Sequence, residues 1–159
     1  MRLFDRLLDI LVVLAIIILV FGWLSVCFEV FMRYFVGKPQ IWVIEIVEYI
    51  LLYTCFLGAA WLLREDGHVK VDVLLNLLNP GNQALLNAIT SGLAAILWLL
   101  LTWYTGGSTV KAFKMGLYTP TILEIPKAPL YAVMPIGSFL LFVQFSRRTF
   151  HYLMTYKHR

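Results

Sequence analysis

Long uncharged stretches, broken by short clusters of polar residues, organise this sequence. Between Asp9 and Glu29, residues 10–28 carry no charge, a run that at about 1.5 Å per residue crosses most of a hydrocarbon layer roughly 30 Å thick. A first span is expected over residues 10–31. A second, over 41–63, is bounded by Pro39 on one side and Arg64-Glu65-Asp66 on the other, and it contains two carboxylates, Glu45 and Glu48. No charge interrupts residues 73–110, but Asn76, Asn79-Pro80-Gly81-Asn82 and Gln83 divide that stretch, because clustered Asn, Pro and Gly favour turns. The third span is therefore expected over 84–105, followed by an outer loop over 106–127 that holds Gly106-Gly107, Gly116, Pro120 and Pro126. The fourth is expected over 128–146, with Pro135 near its middle predicting a kink, and residues 147–159 form a tail. In lipid every backbone N–H and C=O needs an internal partner, and a short chain without alternating strand patterns cannot close a barrel. The expected fold class is an all-α integral membrane protein with four transmembrane helices. After Gly67, which can end a helix, Val69, Val73, Leu74 and Leu77 recur at roughly helical spacing. They suggest a short amphipathic segment at 68–79, lying in the interface between helices 2 and 3.

Composition supports this reading: the 159 residues are 61% hydrophobic and 14% charged, against roughly 45–50% and 25% in soluble proteins. So short a chain has too little core to hide that surface, which must meet lipid or other apolar helices. The net charge is +4, yet its 13 Lys and Arg are scattered among apolar runs, without the basic stripe or motif of a nucleic-acid binder. Charge instead indicates orientation. Arg2, Arg6, Arg64, Lys70, Arg147, Arg148, Lys157 and Arg159 fall on one side, against Arg33, Lys38, Lys111, Lys114 and Lys127 on the other, so both termini are expected to be cytoplasmic. Arg2 and Arg6 ahead of an apolar run resemble a signal peptide, but Val26 stands before Cys27 where a lipoprotein site needs a small residue. The segment is expected to remain as a span.

Glu45 and Glu48 are the residues that fit least well with lipid. Counted from Arg64 along a helix, Glu48 lies about 24 Å and Glu45 about 28 Å away, beneath the outer boundary rather than at the centre. Glu29 and Arg33 are i,i+4 at the same level, in the favourable order. Three roles remain open for these carboxylates: a Glu29–Arg33–Glu45 anchoring cluster, cation coupling, or a solvated interface. His68 and Asp72 are also i,i+4, but two ligands without further His or Cys at ligand spacing do not make a metal site. No histidine pair suits haem, and no Ser or Cys has a base and an orienting partner. Neither enzyme activity nor a cofactor is expected. In the third span Ala84, Ala88, Ser91, Gly92 and Ala95 form a row of small residues where a neighbouring backbone is expected to approach.

Several motifs in order resemble one family. Arg33-Tyr34-Phe35 closes the first helix, and Trp42-Val43-Ile44-Glu45 opens the second. Phe56-Leu57-Gly58-Ala59-Ala60 follows, then Arg64 and the run Gly67-His68-Val69-Lys70-Val71-Asp72. Ile125-Pro126 precedes the last helix and Met134-Pro135-Ile136-Gly137 lies within it. Together they resemble the small membrane subunit, or small permease protein, of tripartite ATP-independent periplasmic (TRAP) transporters. Ile44 stands where that family often has a first acid. The resemblance implies a non-catalytic subunit of the bacterial cytoplasmic membrane that braces a large multi-span subunit. The latter takes up an organic acid, delivered by a periplasmic binding protein, with a cation that is usually Na⁺. It further implies contacts with membrane lipids, transient docking of the binding protein on loop 106–127, and anchoring roles for Arg33, Trp42 and Glu45, with His68 and Asp72 fixing the inner connection or touching the partner. The competing class is an autonomous small transporter, or a membrane anchor of another complex.

Overall fold

The protein is described by a computed structural model over residues 2–65 and 80–157. It is all-helical: α1 (Arg2–Phe31), α2 (Ile41–Arg64), α3 (Pro80–Lys114) and α4 (Lys127–Lys157), each long and apolar enough to cross a membrane. Among the described residues the sole strand-like feature is an isolated bridge between Tyr118 and Pro126. Local chemistry sets the helix ends. α1 widens into a π-helical turn at Met32–Val36, and Gly37 closes it in the left-handed conformation, φ 70°, donating its N–H to the Met32 carbonyl. Glycine adopts that backbone without the steric penalty a Cβ brings. Proline at the first position of α3 and just before α4 occupies places where a missing N–H loses no helical hydrogen bond.

Two boundaries differ from the sequence expectation. α3 does not stop at 105 but continues through Gly106-Gly107 to Lys114, so the loop between α3 and α4 shrinks to residues 115–126. Glycine weakens an exposed helix by only about 1 kcal/mol, less than leaving backbone groups unpaired in an apolar setting. The hydroxyls of Thr105, Ser108 and Thr109 add donors to carbonyls four residues earlier. Likewise α4 runs past Arg147 to Lys157, so most of the expected tail is helix, and it continues through Pro135 without interruption. The expected interfacial segment at 68–79, with Gly67, His68 and Asp72, lies outside the described residues.

Packing follows a chain of neighbours. Leu8 of α1 meets Ala60 and Leu63 of α2 and Leu140 and Leu141 of α4 in one cluster, while Ala15, Leu57 and Val133 form the next. Gly22 faces Ile50. Rising numbers in α1 thus meet falling numbers in α2: the two are antiparallel, and α2 and α4 run parallel. α3 returns antiparallel along α4, with Gly92 beside Thr149 and Gly106 beside Pro135. The row of small residues behaves as expected, with Ala88, Ser91 and Ala95 buried. The same register sets residues 84–92 beside the part of α4 that follows Arg147 and Arg148. Only 17% to 33% of each apolar window is buried, so most of the helical surface faces outward.

Gly137 brings α4 tightly against α2. A Cβ at Gly137 would stand 2.6 Å from the Phe56 Cβ and 2.8 Å from its carbonyl oxygen, and a backbone atom cannot rotate away. Gly137→Ala is expected to destabilise the fold by roughly 1–3 kcal/mol. Gly107→Ala, with nothing within 4 Å of its Cβ position, is expected to be neutral or slightly stabilising. Thermal unfolding of both variants in detergent checks the pair.

Candidate functional site

Among the described residues, charged side chains tie the chain together at two places: the turn end, which holds residues 37–40 and 115–126, and the termini end, where α1 begins and α2 ends. At the turn end, the loop from α3 to α4 is folded on itself. Lys127 N–H donates to the Leu117 carbonyl at 2.8 Å and Thr119 N–H to that of Ile125 at 2.9 Å, while the Thr119 hydroxyl oxygen accepts from Ile125 N–H at 3.0 Å. Glu124 takes a positive φ of 42°. This fold directs two successive amides at α2: Ile122 N–H donates to Glu45 Oε1 at 3.0 Å and Leu123 N–H to Oε2 at 3.3 Å. A carboxylate accepting backbone N–H groups makes one of the stronger kinds of hydrogen bond.

The expected three-member charge cluster resolves into separate ties. Arg33 pairs with Glu29 at 2.7 Å, and the Glu29 side chain is only 7% exposed, so the ion pair keeps a charge at the end of α1 from being buried alone. Glu45 holds the loop instead. Trp42 donates its indole N–H to Gln40 Oε1 at 3.0 Å, a local contact that steadies the start of α2. Pro126 sits in the bridge with Tyr118, and Pro135 lines the contact with Gly106. Glu48 is exposed, and among the described residues no hydrogen bond or ion pair engages it. Tyr53, not singled out in the sequence, donates its hydroxyl to the Pro129 carbonyl at 2.7 Å and ties α2 to the first turn of α4.

At the termini end Arg64 is the hub. Its guanidinium donates to the Asp5 carbonyl at 3.0 Å, pairs with Asp9 and reaches Glu65 at 3.0 Å. Arg147 of α4 pairs with the Asp5 carboxylate at 2.8 Å and lies over the Phe4 ring, 5.5 Å from its centroid. Three helices are thereby joined through one turn of α1. Sequence reasoning found Arg64 but counted Arg147 only as a positive charge and missed Asp5 and Asp9. Their i,i+4 spacing at the start of the first apolar run was the available signal. Beside this clamp, Leu63, Arg64, Gln144, Arg147, Phe150 and His151 border a half-open cavity of about 630 Å³. Within the spans, the hydroxyls of Ser25, Thr90 and Thr102 donate to carbonyls of their own helices, while the buried hydroxyls of Thr54 and Ser138 have no hydrogen-bond partner among the described residues.

Comparison with known proteins agrees with this architecture. The profile of the family described as tripartite ATP-independent periplasmic transporters, DctQ component, matches residues 23–153. A Haemophilus influenzae protein named "Putative TRAP transporter small permease protein" is 35% identical over 89 residues. That match covers 56% of this chain and 55% of the relative, so the aligned part spans about half the length of the curated relative.

Two variants test the ties. Glu45→Ala, which leaves two amides without an acceptor, is expected to destabilise the turn end by roughly 1–3 kcal/mol and to speed proteolysis within 115–126, with Glu45→Gln intermediate. Arg147→Asp is expected to lower the unfolding temperature in detergent, and adding Asp5→Arg to recover part of the loss, a coupling that unlinked sites would not give.

Proposed function

Since the chain belongs to the DctQ family of small TRAP transporter subunits, we propose that it is the static bracket of such a transporter, holding a large multi-span subunit steady while that subunit moves substrate. The substrate class is an organic acid, presented by a periplasmic binding protein and taken up with a cation, Na⁺ in this reading. The bracket sits in the bacterial cytoplasmic membrane, with its termini end in the cytoplasm and its turn end in the periplasm. Lys111 and Lys114, exposed on the last turn of α3, form a positive surface for transient docking of the binding protein.

One observation carries the bracket reading: the helices are tied at both ends, Glu45 to Ile122 and Leu123 at one and Asp5, Asp9, Arg64 and Arg147 at the other, with Tyr53 joining α2 to α4 between them. Helices fastened at both ends favour a rigid body over an alternating one.

A tagged chain isolated from its native envelope in mild detergent is expected to bring the large subunit in stoichiometric amount; recovery of self-oligomers alone would overturn the bracket. Reversing Lys111 and Lys114 to Glu is expected to weaken binding-protein docking several-fold at low salt and less at high salt. Unchanged docking would remove that surface from the mechanism.

A further inference from the structure

The exposed positions of α2 fall in single file. Ile41, Ile44, Glu48, Leu51, Cys55 and Leu62 are all exposed, separated by three, four, three, four and seven residues. Gly58 fills the missing step, and nothing lies within 4 Å of where its Cβ would be. Alternating steps of three and four keep one face of a helix turned to a second helix along its whole length. The other sides of α2 are occupied: Ile50 packs on Gly22 of α1 and Phe56 on Gly137 of α4, and Leu57, Ala60 and Leu63 belong to the buried clusters. The file is the one long side of α2 left open.

Glu48 says what covers it. Its carboxylate stands in the file, engaged by no described residue, about 24 Å along the helix from Arg64 and so just inside a layer roughly 30 Å thick. Acyl chains offer no hydrogen-bond donor, and carboxylates at membrane depth face protein, water or a paired charge. The exposed residues of α1 over the same depth, among them Val13, Ile17, Val20 and Leu24, are apolar and lose nothing against lipid. Cys55 and Gly58 make the lower half of the file shallow, which lets a partner backbone come near. A second copy suits the file poorly, because a parallel two-fold contact would set Glu48 against Glu48.

We propose that the face of α2 running from Ile41 to Leu62 seats a transmembrane helix of the large subunit, and that this helix presents a hydrogen-bond donor, cationic or neutral, to Glu48. The inference rests on the bracket reading and locates its joint. The test uses the full chain co-expressed with the large subunit, carrying a photoreactive benzoylphenylalanine at Leu51, at Leu62, or at Ile17 on α1 as the reference. Irradiation is expected to link positions 51 and 62 to the large subunit at least about fivefold more than position 17. Glu48→Leu is expected to lower co-purified large subunit about tenfold, consistent with loss of an interhelical hydrogen bond in lipid. Glu48→Gln should lower it less, and the unfolding temperature of the chain alone should be unchanged in both. Linkage from position 17 but not from 51 or 62, with the complex intact, overturns the proposed face and leaves the bracket standing. Linkage of position 51 to a second copy overturns the assigned partner. Failure of the unsubstituted chain to bring down the large subunit overturns the bracket itself, and with it this joint.

Discussion

Inside a bilayer an apolar helix face gains little by choosing another helix over an acyl chain, so four apolar helices do not find a unique arrangement through hydrophobicity alone. What decides here is close backbone approach and a few polar contacts that lipid cannot replace. Gly137 against Phe56 brings two helices to a distance that a larger side chain would forbid, and Gly22 packs tightly on the Ile50 side chain. Ala88, Ser91 and Ala95 are buried where α3 packs on α4. The charged ties then fix how far each helix slides along its neighbour.

The ends differ in kind. At the termini end charge meets charge, and Asp5 serves two partners: its carbonyl accepts from Arg64 and its carboxylate pairs with Arg147. At the turn end a carboxylate meets backbone amides, since Glu45 holds Ile122 and Leu123 by their N–H groups. The first depends on long side chains, the second on the shape of a folded loop. Both leave the flanks of α1 and the outward file of α2 uncovered, which gives a small subunit a large lateral surface for its mass.

The spans were legible because bilayer thickness imposes a length, and runs such as 10–28 obey it. The small-residue row was legible for a similar reason, as helical spacing alone places Ala88 beside Ser91. Where α3 ends was not. Gly106-Gly107 carries the same local signal in a loop as in a helix, and its setting beside Pro135 exists only once α4 is in place. Glu45 was recognised as an anchor but given the wrong partner: Arg33 was near in sequence, while the amides that claim it lie 77 and 78 residues away and carry no side-chain signature. Asp9 looked like the edge of a span and proved, with Asp5, to be half of a clamp.

The sequence distance between Glu45 and its loop also imposes an order on biogenesis. A ribosome adding about 5–20 residues per second makes Glu45 roughly 4–15 s before Ile122. Arg64, in contrast, follows Asp5 and Asp9, so the α1–α2 hairpin can be latched at the termini end as soon as α2 emerges. Until the α3–α4 hairpin arrives, the nascent chain is a half-fastened intermediate whose free carboxylate waits at the turn end. That interval is the time in which an insertase or chaperone would have something to hold.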